Sequence, residues 1–493
     1  MRTFRTSFLT MVVWMTMSYS PAASGDAPIN LGANIASQSP DTSLVELNGA
    51  IVATGDNHII GWTYDWGDGQ TTEGFFPAFH RYQQPGVYTV RVTGCDDRSN
   101  VKVVTLDCTV TGNPPSAVRE VTLSPTALGL KPGESANVQI GALDAEGKPV
   151  EITSRLKEIY VPTIYRNFVT ASIVSGGLRV EASDLKQQDA ALAVVQVYVD
   201  KVGCKRPLYV IVNKNPSAYQ LVETQHTALY LPNSFFSKGN VAPDEQGKVL
   251  EQAFLYNRSC VQGTQFSGLP ANELQAVSYA PRAYGWNGNP LALGDGAQPL
   301  KGVPKFAVMF HEMGHNFSCT HMFFASVGIP GPFYQETLAE WFKQSDIESI
   351  LRNHRRELTD TAVADLEDIR RKSRMFHERE YRKYVDAGMK FDYDNISASQ
   401  VVVQRIYEHC DAAGWDVLEK FMECYRASLL SAYSRVLGSH GGLTTENKVT
   451  LMAATLTTAF GKDFRGDLRE LNFPIKDSFY DAVVSLLQEA SSR

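Results

Sequence analysis

Two histidines four residues apart, with a glutamate beside the first, are the side chains whose types and spacing could do chemistry: His311-Glu312-Met313-Gly314-His315. On a helix, positions four apart share one face a single turn apart. Both imidazoles then reach one metal ion while Glu312 projects beside it. This is the H-E-x-x-H arrangement, in which two histidines hold zinc and the glutamate is general base toward a water molecule. An ordinary amphipathic helix can carry the same residues by chance, so the surrounding elements decide.

A catalytic zinc takes three protein ligands and leaves a position open for water. Two residues compete for the third place. His321 lies six positions beyond His315, where the pattern H-E-x-x-H-x-x-G-x-x-H puts its last histidine. That pattern wants a glycine where this chain has Ser318, because the helix must break sharply there. The other candidate is Glu336, in the run Gln335-Glu336-Thr337-Leu338-Ala339-Glu340-Trp341-Phe342, after a loop turned at residues 328–332. A second helix beginning near Gln335 lays Glu336 against the first. Glu340, one turn on, shares that face and can accept the second ring N–H of His311, fixing its tautomer. Leu338, Trp341 and Phe342 make this a buried helix rather than a solvated one.

A chain of 493 residues is too long for one core and predicts about three domains. Its net charge of −7 comes without long acidic or basic blocks and gives no nucleic-acid or anionic-membrane surface. Arg2 and Arg5, the apolar run from Phe8 to Met17 and Ser20-Pro21-Ala22 read as a secretory signal peptide over residues 1–22, cleaved after Ala22. No later run is long and apolar enough for a transmembrane segment. The chain is therefore expected to be secreted or attached to the cell surface, extracellular or periplasmic. Of seven cysteines, Cys95 and Cys108 are the pair expected to close a disulfide between neighbouring strands.

Residues 27–112 alternate in strand fashion. They carry Trp62, Tyr64, Trp66-Gly67-Asp68-Gly69, His80-Arg81-Tyr82 and Pro85-Gly86-Val87-Tyr88-Thr89-Val90. This segment resembles a PKD domain, with Trp66 where the family usually has Phe, and the resemblance implies a β-sandwich. Asp68 and His80 then either tie the turn to the next strand in a spacer, or belong to a binding module in which Phe75 and Phe76 stack on a carbohydrate or protein. Residues 113–116 form a stiff linker. Residues 116–213 are again β-rich; with Leu123-Ser124-Pro125, Pro132-Gly133 and Asp144 to Val150 they resemble a bacterial Ig-like domain, a second all-β sandwich.

From residue 217 to 493 the composition shifts to strands mixed with helix, and beyond Val303 to helix. Glu336 to Phe342 is similar to the gluzincin zinc metallopeptidases, whose second helix reads roughly N-E-G-L-A-E-Y-F; Gln335 and Thr337 replace the usual Asn and Gly. Ile406 to His409, Ala413 to Leu418, Leu451 to Ala454, Phe460 to Phe464 and Leu471 to Ile475 extend the likeness, most closely to the enhancin and mucin-degrading metallopeptidases. The resemblance implies an α+β zincin-type catalytic domain with a mainly helical C-terminal part. It also implies one zinc per chain on His311, His315 and Glu336, with Glu340 behind His311, Glu312 as base, and an oxyanion donor that is Tyr393 or alternatively His409. Tyr284 to Gly294 is either an edge strand along the cleft or a Gly/Asn loop. The implied activity is hydrolysis of proteins or glycoproteins. The rival expectation is an adhesin or glycan-binding protein whose peptidase fold is inactive.

Overall fold

The computed structural model describes residues 28–38, 44–73, 76, 78–111, 118–153, 155, 157–161, 166–185, 190–200, 202–204, 206–233, 241–261, 275–279, 285–286, 291–293, 305–319 and 332–491. The signal segment, the linker, Phe75 and His321 lie outside them.

The first unit is a sandwich of β1 (Ile29–Gln38), β2 (Leu44–Ala53), β3 (Ile59–Asp65), β4 (Thr71–Glu73), β5 (Ala78–Arg81), β6 (Gly86–Asp96) and β7 (Val101–Val110), with sheet orders β1-β2-β5 and β4-β3-β6-β7. Trp62, Tyr64 and Trp66 alternate along the chain and point inward, where they meet Tyr82, Val90 and Val92. Phe76 also turns in, its ring 5.4 Å from Tyr64 and 6.1 Å from Trp62, so it is core rather than an exposed stacking platform. The expected Cys95–Cys108 disulfide is not made, and both thiols are free and buried. The tight β6–β7 turn pairs Cys95 with Val101 and Cys108 with Tyr88. Cys95 lies seven residue steps along the strand from Tyr88, about 23 Å at strand rise, far beyond what a disulfide spans.

The second sandwich comprises β8 (Glu120–Ser124), β9 (Ala127–Leu130), β10 (Ser135–Leu143), β11 (Lys157–Tyr160), β12 (Val169–Val174), β13 (Gly177–Ala182), β14 (Ala190–Val199), β15 (Val202–Gly203) and β16 (Leu208–Asn213). Its sheets run β12-β13-β10-β8 and β11-β14-β16-β9, with β15 on β14. An antiparallel strand usually leaves one face to water, yet β14 is buried on nearly every residue. One face fills the sandwich; the other, through Ala190, Leu192 and Val194, packs with Tyr209 and Ile211 against Ala228 and Tyr230 of the next unit.

That unit begins with a mixed sheet of order β17-β18-β19-β21-β20: β17 (Tyr219–Glu223), β18 (Thr227–Pro232), β19 (Gln275–Tyr279), β20 (Gly285–Trp286) and β21 (Leu291–Leu293). β18, β19 and β21 are parallel, and β20 is a short antiparallel edge strand. Helices follow: α1 (Pro243–Cys260), α2 (Lys305–Cys319), α3 (Pro332–Asn353), α4 (Asp360–Asp386), α5 (Ile396–Ala413), α6 (Val417–Glu423), α7 (Leu430–Ser439), α8 (Thr445–Phe460), α9 (Arg465–Arg469) and α10 (Asp477–Ser491). The chain is thus multidomain, with β-sandwiches followed by a mainly helical C-terminal region.

One apolar core unites this region, and Ile60 and Cys95 of the first sandwich are part of it. At the β6–β7 turn the buried Asp97 carboxylate accepts the N–H of Leu443 at 2.9 Å, and the Ser99 hydroxyl donates to the carbonyls of Ser434 and Arg435 at 3.3 Å. Gly438 makes this approach possible, since a Cβ there would lie 1.9 Å from Ser99 Oγ.

Candidate metal centre

The helices α2 and α3 lie against each other because Gly314 lacks a side chain. A Cβ at that position would stand 2.9 Å from Phe342 Cβ and 3.0 Å from the Ala339 carbonyl oxygen. Phe310, Met313 and Phe317 on α2 and Leu338 and Phe342 on α3 are buried in one core, with the Phe317 and Phe342 rings 6.5 Å apart across the crossing, while Trp341 faces Phe421 and Phe460. The start of α3 is tied down by the Tyr334 hydroxyl, which donates to the Lys448 carbonyl at 2.8 Å.

The close crossing sets Glu336 opposite the two histidines. His311 Nε2 lies 3.1 Å from His315 Nε2 and 3.3 Å from Glu336 Oε2, and His315 Nε2 lies 3.7 Å from Glu336 Oε1. The imidazole planes stand at 90°. Ligand atoms held about 2.05 Å from a tetrahedral ion lie about 3.3 Å from one another, so these three donors have the spacing and chemistry to hold a small divalent cation such as zinc. Among the described residues this is the one such His/Cys/Asp/Glu group. Glu312, the next residue after His311, is buried.

Behind the donors, His311 Nδ1–H donates to Glu340 Oε1 at 2.8 Å. The donor must be the nitrogen, because an ionised carboxylate only accepts. A proton is therefore on Nδ1, and Nε2 is the nitrogen aimed at the shared point. Glu340 Oε2 in turn accepts from Lys343 Nζ and from His377 Nε2, the latter at 2.9 Å. The Tyr407 hydroxyl donates to the Glu340 carbonyl at 3.2 Å.

Burial opposes a charged His311, but the carboxylates of Glu336 and Glu340 outweigh it and lift its pKa to about 10. Burial, with the positive His311 alongside, depresses His315 to about 4. Burial works against the Glu340 anion as well, yet Lys343, His311 and His377 hold its carboxyl well below the usual range. Holding a cation at this point requires His311 Nε2 to be deprotonated, so metal affinity here falls as pH is lowered.

The helical spacing of the sequence anticipates the meeting of His311, His315, Glu336 and Glu340. It does not anticipate Lys343 or His377. Lys343 was readable, since Glu336, Glu340 and Lys343 follow one helix face; His377, on α4, has no local signal at all. Tyr393 and His409 have other surroundings. The Tyr393 ring packs 5.4 Å from Phe333 with Lys448 Nζ 5.3 Å from its centroid, and burial pushes its hydroxyl pKa upward. His409 holds Asp467 Oδ2 at 2.7 Å and lies 4.5 Å from the Phe464 ring. These contacts are with the aromatic core and with α9 rather than with the three donors. Tyr284–Gly294 contributes β20 and β21, which pack beside α2.

Residues 26–110 match the family model for the PKD domain. The N-terminal sandwich is a PKD domain; the match covers well under half the chain and assigns no family to the whole. Similar solved structures include the PKD1 domain of Vibrio anguillarum Epp, at 19% identity over 18% of this chain and 99% of that one with a TM-score of 0.16. The PKD1 domain of the Vibrio cholerae metalloprotease PrtV is 20% identical over 17% of this chain and 93% of that one, TM-score 0.14. Clostridium thermocellum CbhA fibronectin(III)-like modules are 13% identical over 37% and 93%, TM-score 0.17. No curated protein matches the chain. None of the described helices is long and apolar enough to cross a membrane.

Proposed function

We propose that this chain is a secreted zinc-dependent peptidase acting on proteins or glycoproteins, with a zincin-type catalytic domain of the gluzincin kind. The observation that carries the reading is the convergence of His311, His315 and Glu336 on one point, with Glu312 adjacent and Glu340 behind. The mixed sheet with a short antiparallel edge strand beside α2 supports it, since an edge strand offers free N–H and C=O groups on which an extended peptide can align.

His311, His315 and Glu336 would hold the zinc. When bound, the ion supplies a Lewis acid for the scissile carbonyl and lowers the pKa of water toward about 7. Glu312 takes the proton of the attacking water and carries it to the leaving amine. Glu340 keeps His311 in the tautomer that presents Nε2 to the ion. The oxyanion donor is proposed as Tyr393, whose ring packs on Phe333 three residues before Glu336, or alternatively His409, which would have to leave Asp467 to act.

The test is incubation of the purified full chain, assayed for stoichiometric zinc, with a panel of glycosylated and unmodified proteins, followed by mapping of cut sites. Cleavage is expected, and Glu312→Ala is expected to keep the zinc and the fold while losing turnover by about 100-fold or more. Zinc without cleavage of any panel member would favour a binding protein on an inactive peptidase fold, and turnover by Glu312→Ala would remove Glu312 as base.

A further inference from the structure

We propose that Lys343 and His377 are positioning residues for the metal centre, holding the Glu340 carboxylate in the one orientation in which its other oxygen takes the Nδ1–H of His311. The inference rests on the zinc reading above. Glu340 is buried on α3, and its three oxygens are all engaged: Oε1 by His311, Oε2 by Lys343 and His377, and the carbonyl by Tyr407.

The two donors on Oε2 come from different elements. Lys343 sits three residues on in the same helix and moves with it. His377 comes from α4 and ties the carboxylate to a second helix. Turning the carboxylate would break both contacts and leave a buried ammonium and a buried N–H unpaired, each a costly state in a dry interior.

Neither residue is where its own chemistry would place it. A lysine at a helix surface ordinarily extends its head to water, whereas Lys343 is buried with its ammonium on Glu340. The His377 ring is fully buried, edge-on to Tyr407 at 5.2 Å, and among the described residues its Nδ1 has no hydrogen-bond partner. Since Glu340 is the acceptor, His377 carries its proton on Nε2, and among the described residues that bond to Glu340 is the ring's one hydrogen bond. A histidine left with an orphaned nitrogen to make a single bond serves the acceptor rather than itself. The chain therefore builds a relay of fixed geometry from α4 through Glu340 to His311 and the donor point.

Zinc affinity by chelator competition tests this in the full chain and in Lys343→Met, His377→Phe and His377→Gln, with thermal melting of each metal-free protein to establish folding. Lys343→Met and His377→Phe are expected to weaken zinc binding by about 10–100-fold, the range typical of lost outer partners, and to shift the visible spectrum of the cobalt-substituted protein. His377→Gln places an amide nitrogen near the former Nε2 and is expected to restore most of the affinity and the spectrum. Folded Lys343→Met and His377→Phe proteins with unchanged affinity overturn the inference and leave the zinc reading standing; a wild-type chain that binds no zinc overturns both. Should the apolar variants fail to fold, His377→Asn, polar but too short to reach Oε2, takes their place, and unchanged affinity there overturns the inference equally.

Discussion

Two histidines in this chain each meet a carboxylate oxygen at 2.8 Å: the buried His80 on Asp68 in the PKD domain, and the half-buried His311 on Glu340 between α2 and α3. The pairs are alike in distance and differ in what surrounds the ring. His80 lies flat on Trp66 with centroids 4.7 Å apart and has Tyr82 edge-on at 4.6 Å. Burial lowers its pKa despite Asp68, so it is a neutral ring used as packing that pins the turn at Asp68 to β5. His311 turns its second nitrogen toward His315 and Glu336. A histidine–carboxylate contact by itself therefore does not announce chemistry; convergence of further donor atoms on the free nitrogen does.

Removing a donor should have the largest effect. Glu336→Ala is expected to lower zinc affinity by more than about 100-fold, beyond the range of outer partners, while His321→Ala leaves it unchanged. Titration of both proteins against a competing chelator decides, and the reverse pattern would move the third ligand to His321. Next comes the helix crossing. Gly314→Ala forces α2 from Ala339 and Phe342 and is expected to cost about 1–3 kcal/mol in chemical unfolding, with weakened zinc binding because Glu336 is carried away from the histidines. The smallest effect belongs to the other pair. His80→Phe should destabilise the PKD domain by about 1 kcal/mol and leave zinc affinity untouched. A change in zinc binding there would break the distinction between the two histidines.

The helix-borne part of the site was legible because two i, i+4 pairs, His311/His315 and Glu336/Glu340, state their faces in the sequence. What the sequence did not state is how near the faces come, which Gly314 decides, and what reaches Glu340 from 37 positions away, which is His377. The same distinction holds for the β units. Trp62, Tyr64 and Trp66 announce a sandwich strand by alternation, but the partners of Cys95 and Cys108 depend on the register fixed by the β6–β7 turn, which proximity in sequence misjudges. The sequence marks residues 116–213 only as β-rich, and it does not show the second burial face of β14. Its uninterrupted apolar run is satisfied only by a neighbouring domain.

The bond between Asp97 and Leu443 joins residues 346 positions apart. A chain made from its N-terminus at about 5–20 residues per second completes the PKD domain roughly 20–70 s before the residue that caps Asp97 is added. Throughout that interval Ile60, Cys95 and Asp97, all buried in the finished protein, face whatever surrounds the nascent chain. The first domain to form is thus the last to be finished, and its bare patch is where a folding assistant, or a wrong neighbour, would find the growing chain.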